Sequence, residues 1–154
     1  MKIIKKGFTL IELLIVITII GIMTAVVSTN LSSARSRARD MRRKTDLRAV
    51  EQSLRLYYND HQTYPASASL VWGSQFADGS TTYISVLPRD PSYSATNTSS
   101  TYAYSFANSD SFILKATLEN LSDPDIADSQ SKCSAALKTS IGVATATDYV
   151  ICVQ

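Results

Sequence analysis

From Phe8 to Val27 the chain is apolar almost without interruption, and only Thr9, Glu12, Thr18, Gly21 and Thr24 break the run. About 20 such residues form a helix about 30 Å long, the thickness of bilayer hydrocarbon, and it needs an apolar surrounding on every side. Glu12 is the single charge in it. An ionised side chain at the centre of a membrane helix costs roughly 2.5–3.5 kcal/mol on insertion scales, so an acid kept there points to a function. Two plainer origins explain less. A secretory signal peptide, cut near Leu31-Ser32-Ser33-Ala34, has an apolar stretch of only about 7–15 residues and no use for a carboxylate. An uncleaved signal anchor accounts for the length but for neither Glu12 nor the Gly7-Phe8 junction before it.

Beyond Val27 the helical period continues. Leu31, Ala34, Ala38 and Met41, then Leu47, Val50, Leu54 and Tyr57, recur by threes and fours, an apolar stripe of the kind that packs on a sheet. No proline precedes Pro65 and Gly21 is the only glycine inside the run. One helix over residues 8–60 is therefore expected, with Gly21 its weakest point. The stretch Tyr57-Tyr58-Asn59-Asp60-His61-Gln62-Thr63-Tyr64-Pro65 then replaces periodicity with turn chemistry. Leu87-Pro88-Arg89-Asp90-Pro91 is a second turn block. Tyr102 to Phe106 and Phe112 to Glu119 flank Ala107-Asn108-Ser109-Asp110-Ser111 and read as a hairpin, and Tyr149 to Val153 adds a strand. Tyr102, Tyr104 and Phe106 share one side of theirs. The fold class expected is α+β: a long N-terminal helix, first apolar and then amphipathic, laid on a small antiparallel sheet.

The basic run from Arg35 to Arg48 raises the question of nucleic acid. No aromatic residue lies between Phe8 and Tyr57 to stack on a base, and the cations alternate with Ala, Ser and Asp around the helix, so a solvated or subunit-contacting face is the better reading. Catalysis finds no constellation either. His61 is the sole histidine, and the sequence has no Gly-x-Ser-x-Gly elbow, phosphate loop or zinc spacing. The Ser/Thr-rich stretch from Ser92 to Thr101 reads as an exposed loop, and Asn97-Thr98-Ser99 and Asn120-Leu121-Ser122 fit the N-glycosylation acceptor pattern.

Lys5-Lys6-Gly7-Phe8-Thr9-Leu10-Ile11-Glu12 resembles the processing signal of type IV prepilins and type II secretion pseudopilins. The Tyr64-Pro65 pair after the helix, the Leu87-Pro88-Arg89-Asp90-Pro91 turn and the Tyr102-Ala103-Tyr104 strand extend the resemblance toward the major, G-type pseudopilins. It implies a leader over residues 1–7, a stalk helix over 8–60 whose segment 8–27 is transmembrane and later filament core, and a type IV pilin-like head over 61–154. It also implies that a prepilin peptidase cuts between Gly7 and Phe8, that Phe8 is N-methylated, and that Glu12 pairs with the N-terminus of a neighbouring subunit. Such a pair replaces a lone charge in an apolar core, which makes Glu12 a register device. The partners implied are copies of this chain and other pilins, the peptidase and an inner-membrane assembly platform. A minor pilin for adhesion or DNA uptake, and a membrane-anchored surface domain that never polymerises, are the alternatives. After Asp90-Pro91 the chain continues Ser92-Tyr93-Ser94, where major pseudopilins have a tryptophan and a glycine.

The resemblance places the N-terminus in the cytoplasm and the head outside the inner membrane, before entry into a periplasmic or surface filament. Charge counting alone argues otherwise, because the basic cluster after the span outnumbers Lys2, Lys5 and Lys6. Loss of those three lysines from 15 basic residues leaves 12 against 13 acids, so the formal charge of +2 becomes −1. The stem is then basic and the remainder acidic, an arrangement expected to draw subunits together through contacts that salt screens. Major pseudopilins typically bind calcium in a late acidic loop. Here Asp123, Asp125 and Asp128 are the candidate ligands, although Pro124 and the lack of a glycine also suit an ordinary solvated turn, and no other cofactor is expected. Cys133 and Cys152, the only cysteines, would lie in an oxidising compartment, as in pilins with a disulfide-bounded C-terminal region. Their bridge would close a loop of about 20 residues, contribute roughly 3 kcal/mol, and take over the role of calcium.

Overall fold

The computed structural model describes residues 7–94, 102–144 and 146–154, without the side chains of 26–30. The chain divides into two compact units, Met1–Ser36 and Arg37–Gln154. Helix α1, Leu10–His61, begins in the first and ends in the second. It passes through Gly21 as helix, and Gln62, at φ 56°, closes it by donating its N–H to the Tyr58 carbonyl at 2.7 Å, a left-handed cap built without glycine.

In the first unit the apolar side chains from Phe8 to Met23 stand exposed, Phe8 at 83% and Ile22 at 65%. The threonines in the run bond to their own helix: the Thr18 hydroxyl donates to the Ile15 carbonyl at 2.7 Å and that of Thr24 to Ile20 at 2.8 Å. A hydroxyl bonded in this way adds no polar demand on its surroundings. Among the described residues no helix is long and apolar enough to cross a membrane. The span expected over 8–27 ends on Val26 and Val27, whose side chains lie outside the described residues, as do Lys2, Lys5 and Lys6 and the sequence Asn97-Thr98-Ser99.

In the second unit two antiparallel sheets follow the helix. A short hairpin pairs β1, Phe76–Asp78, with β2, Thr81–Ile84. The main sheet has the order β3-β4-β5, built from Tyr102–Asn108, Ser111–Thr117 and Asp148–Val153. Strand alternation divides β4 between two cores. Phe112, Leu114 and Ala116 join Leu47, Val50 and Leu54 of α1, with Tyr102, Tyr149 and Ile126. Ile113 joins Cys133, Leu137 and Val150 in a second cluster. The central strand is thus covered on both faces, which is why Phe112-Ile113-Leu114 is apolar throughout rather than alternating. Tyr64-Pro65 locks the chain after the helix: the Tyr64 ring packs edge-on to Phe112 at 4.5 Å, and Pro65 accepts a hydrogen bond from the Tyr104 hydroxyl at 2.7 Å.

Two expectations change. The acidic stretch after β4 is not a loop: Asp123 caps and Pro124 begins α2, Pro124–Ser131, and α3, Ala135–Ile141, follows with Ser134 as its cap and Gly142 at its end. Proline is well placed at a first helical position, where its missing N–H is not needed. The second correction concerns the stripe on α1. Leu47, Val50 and Leu54 are buried, but Met41 is 61% exposed and Leu31 and Ala34 are exposed. The inward positions one turn earlier belong to Asp40, Arg43 and Lys44, so the buried face continues in charged residues.

Cys133 and Cys152 form a disulfide across a sequence separation of 19, joining the segment between α2 and α3 to β5. Alkylation of the unfolded, unreduced chain should leave its mass unchanged, and reduction should admit two alkyl groups and lower the unfolding free energy by about 3 kcal/mol.

Candidate functional site

The start of α1 is organised by its own sequence. Residues 7–9 precede the helix. Thr9 caps it, and Glu12, three residues on, reaches back. The Thr9 N–H and hydroxyl donate to Glu12 Oε2 at 2.9 and 2.7 Å, and the Glu12 N–H donates to the Thr9 hydroxyl oxygen at 3.3 Å. Thr9-Leu10-Ile11-Glu12 is therefore a capping box, which satisfies donors that a helix start leaves open and sets a carboxylate near the positive end of the helix dipole. Its sequence mark, which the reading of Glu12 as a pairing acid alone passed over, is Thr-x-x-Glu at the head of the apolar run. Phe8 stands exposed one residue ahead of the cap, and among the described residues nothing lies within 4 Å of where a side chain on Gly7 would begin. The described fold does not itself require glycine at position 7.

The second polar constellation ties the amphipathic part of α1 to the head. Arg43, 2% exposed, directs every N–H of its guanidinium to a partner. Nε and Nη2 donate to the two oxygens of Asp90 at 2.7 and 3.1 Å, Nη1 donates to Asp40 at 2.7 Å and Glu119 at 2.8 Å, and Nη2 also reaches Ser92 at 2.9 Å. Asp40 in turn accepts from the backbone N–H groups of Glu119 at 2.9 Å and Asn120 at 2.8 Å. Arg39 bonds to Glu119 as well. Among the described residues no buried side-chain donor or acceptor is left unsatisfied, the condition under which a buried ion cluster is tolerated. The Arg39 hydrogen bonds, aided by those of Arg43 and opposed by burial, push the Glu119 carboxyl down from 4.5 to about 2. This corrects the expectation of a solvated or subunit-contacting face for three residues of the basic run. Arg39, Arg43 and Lys44 are neutralised within their own head, while Arg35, Arg37 and Arg48 stay exposed.

The three candidate calcium ligands are only partly brought together. Asp123 and Asp125 each accept from the Lys44 ammonium at 2.7 Å, whereas Asp128 pairs with Lys132 at 2.6 Å. Asp123 also accepts from the Asp125 N–H through its other oxygen at 3.0 Å. No group of three or more His, Cys, Asp or Glu side chains among the described residues is placed to hold a metal. The donor set is already engaged, and it does not fit calcium, which takes about six to eight oxygens. Asn120 of the second acceptor pattern is half-buried with its N–H on Asp40. His61 stacks on Tyr57 at 4.2 Å and meets Asp78 at 3.2 Å and the Tyr83 hydroxyl at 3.1 Å, a surface knot beside the β1-β2 hairpin.

Comparison with known proteins finds one family motif and several relatives. The prokaryotic N-terminal methylation motif is matched over residues 4–28. A type II secretion system core protein G of Aeromonas hydrophila is 31% identical over 98 residues, covering 56% of this chain and 67% of that protein. The Escherichia coli K12 protein of the same name is 35% identical over 63 residues, 41% of this chain and 43% of its own length. The type IV major pilin protein PilA of Myxococcus xanthus is 36% identical over 60 residues, 39% of this chain and 27% of that one. The chain thus spans two thirds of the Aeromonas relative and less than half of the other two. No solved structure matches it.

Arg43→Met should cost about 3–5 kcal/mol in urea unfolding, because Asp40 and Asp90 would be left buried without their cation. Glu119 adds an acid dependence. Its folded pKa lies below the unfolded value, so its contribution is present above about pH 4.5 and is lost as the pH falls toward about 2. Glu119→Gln should flatten that part of the stability curve.

Proposed function

We propose, for a chain that belongs to the family of type IV pilins and type II secretion pseudopilins, that it is a structural filament subunit made as an inner-membrane precursor. Prepilin peptidase cuts between Gly7 and Phe8, Phe8 is methylated on its new amino group, and the apolar helix leaves the bilayer to form the filament core. The observation that carries this reading is the pairing of a capped Glu12 with an uncovered apolar helix. The exposed side chains from Phe8 to Met23 ask for an apolar environment that the described residues of this chain do not supply. Glu12 meets the α-ammonium of the next subunit's Phe8 there, so each added subunit satisfies one buried charge. The role is structural rather than catalytic, and the head faces the extracytoplasmic side.

Two machines use such subunits. The protein G relatives support a secretion pseudopilus, and the PilA relative supports a surface pilus shaft. Sheared cell-surface filaments separate them: a mature chain beginning at methylated Phe8 in the sheared fraction assigns the pilus, and its retention in the periplasm assigns the pseudopilus.

Glu12→Ala should be cleaved normally yet fail to enter filaments, read by immunoblot of precursor and mature bands beside electron microscopy. Normal filaments would remove the register role. Gly7→Val should leave the head's unfolding curve unchanged while the precursor accumulates, because nothing among the described residues opposes a side chain at that position.

A further inference from the structure

The carboxylates at the start of α2 already surround a cation, and it belongs to the chain. Lys44 is 4% exposed on the inward side of α1. Its ammonium donates to Asp123 Oδ2 and Asp125 Oδ2, each at 2.7 Å, and lies 5.7 Å from the centroid of the Tyr149 ring. An ammonium carries three donors and is satisfied by few acceptors, whereas calcium needs about six to eight oxygens. Asp123 completes its acceptor duty by capping α2, and Asp128 has turned to Lys132. A divalent ion would have to expel the ammonium and unpair the third carboxylate.

We infer that Lys44 is the resident cation of this segment, holding the N-terminal end of α2 to α1 in place of a divalent ion, and that the head folds without calcium. The disulfide between Cys133 and Cys152 fixes the other end of the same helix, just past Ser131. Both clamps are therefore encoded in the chain, and neither can be chelated or diluted away. The charge on Lys44 is secure. Burial alone would pull its pKa down, but the hydrogen bonds to Asp123 and Asp125 overcome this and raise it.

Thermal unfolding of the full chain in detergent micelles, followed by near-UV circular dichroism, tests the assignment with calcium chloride and with EDTA as the two conditions. The wild-type midpoint should be the same in both. Lys44→Met should lower it by roughly 5 °C or more in either buffer, and Lys44→Arg should recover part of the loss. Should Lys44→Met fail to fold, Asp125→Asn, which removes one carboxylate and spares the Asp123 cap, should lower the midpoint without rescue by calcium. A wild-type midpoint that rises in calcium and falls in EDTA overturns the inference, and so does a Lys44→Met or Asp125→Asn variant with the wild-type midpoint.

Discussion

The head depends on one guanidinium kept almost dry. Arg43 projects from the middle of α1 and binds the turn after β2 through Asp90 and the end of β4 through Glu119, while Asp40 beside it holds the backbone at Glu119 and Asn120. Three segments far apart in sequence converge on one planar fork, and their mutual geometry follows from where its donors point. The hydrocarbon core of Leu47, Val50, Leu54, Phe112 and Leu114 lies further along the same face. That core supplies attraction without direction. The ion cluster supplies direction, fixing how the loops close over the helix.

How much of this could be read from residues alone follows from how local each signal is. The apolar run, the long helix and the three strands of the main sheet were legible because hydrophobic periodicity is a short-range pattern. The buried charges were not. Asp40, Arg43 and Lys44 count as polar in any pattern, so the apolar phase seemed to pass through Met41, and apart from the Asp40–Arg43 pair itself the partners that justify burying them lie 47 to 81 residues away. The short helices α2 and α3 were missed for the opposite reason. They are too brief to show a period, and their marks were the caps at Asp123 and Ser134, the proline at 124 and the glycine at 142.

Helix α1 meets two kinds of demand along its length. From Leu10 to Met23 the side chains other than Glu12 are apolar or a hydroxyl that bonds back to the helix, so its order rests on local hydrogen bonds and on whatever apolar medium surrounds it. In its second part the helix is held by tertiary contacts, a dry salt cluster and a packed core. A change of medium acts on the first and leaves the second largely indifferent. The proposed passage from bilayer to filament core would rely on that division.

The capping box carries a consequence for Glu12. Both hydrogen bonds from Thr9 fall on Oε2, and among the described residues Oε1 accepts none. The carboxylate is thus bivalent: one oxygen closes the helix it belongs to and the other is left over. In the proposed filament an incoming ammonium would take the second without releasing the first, so docking would add a contact rather than exchange one. On that proposal the residue that begins one helix would receive another without coming undone.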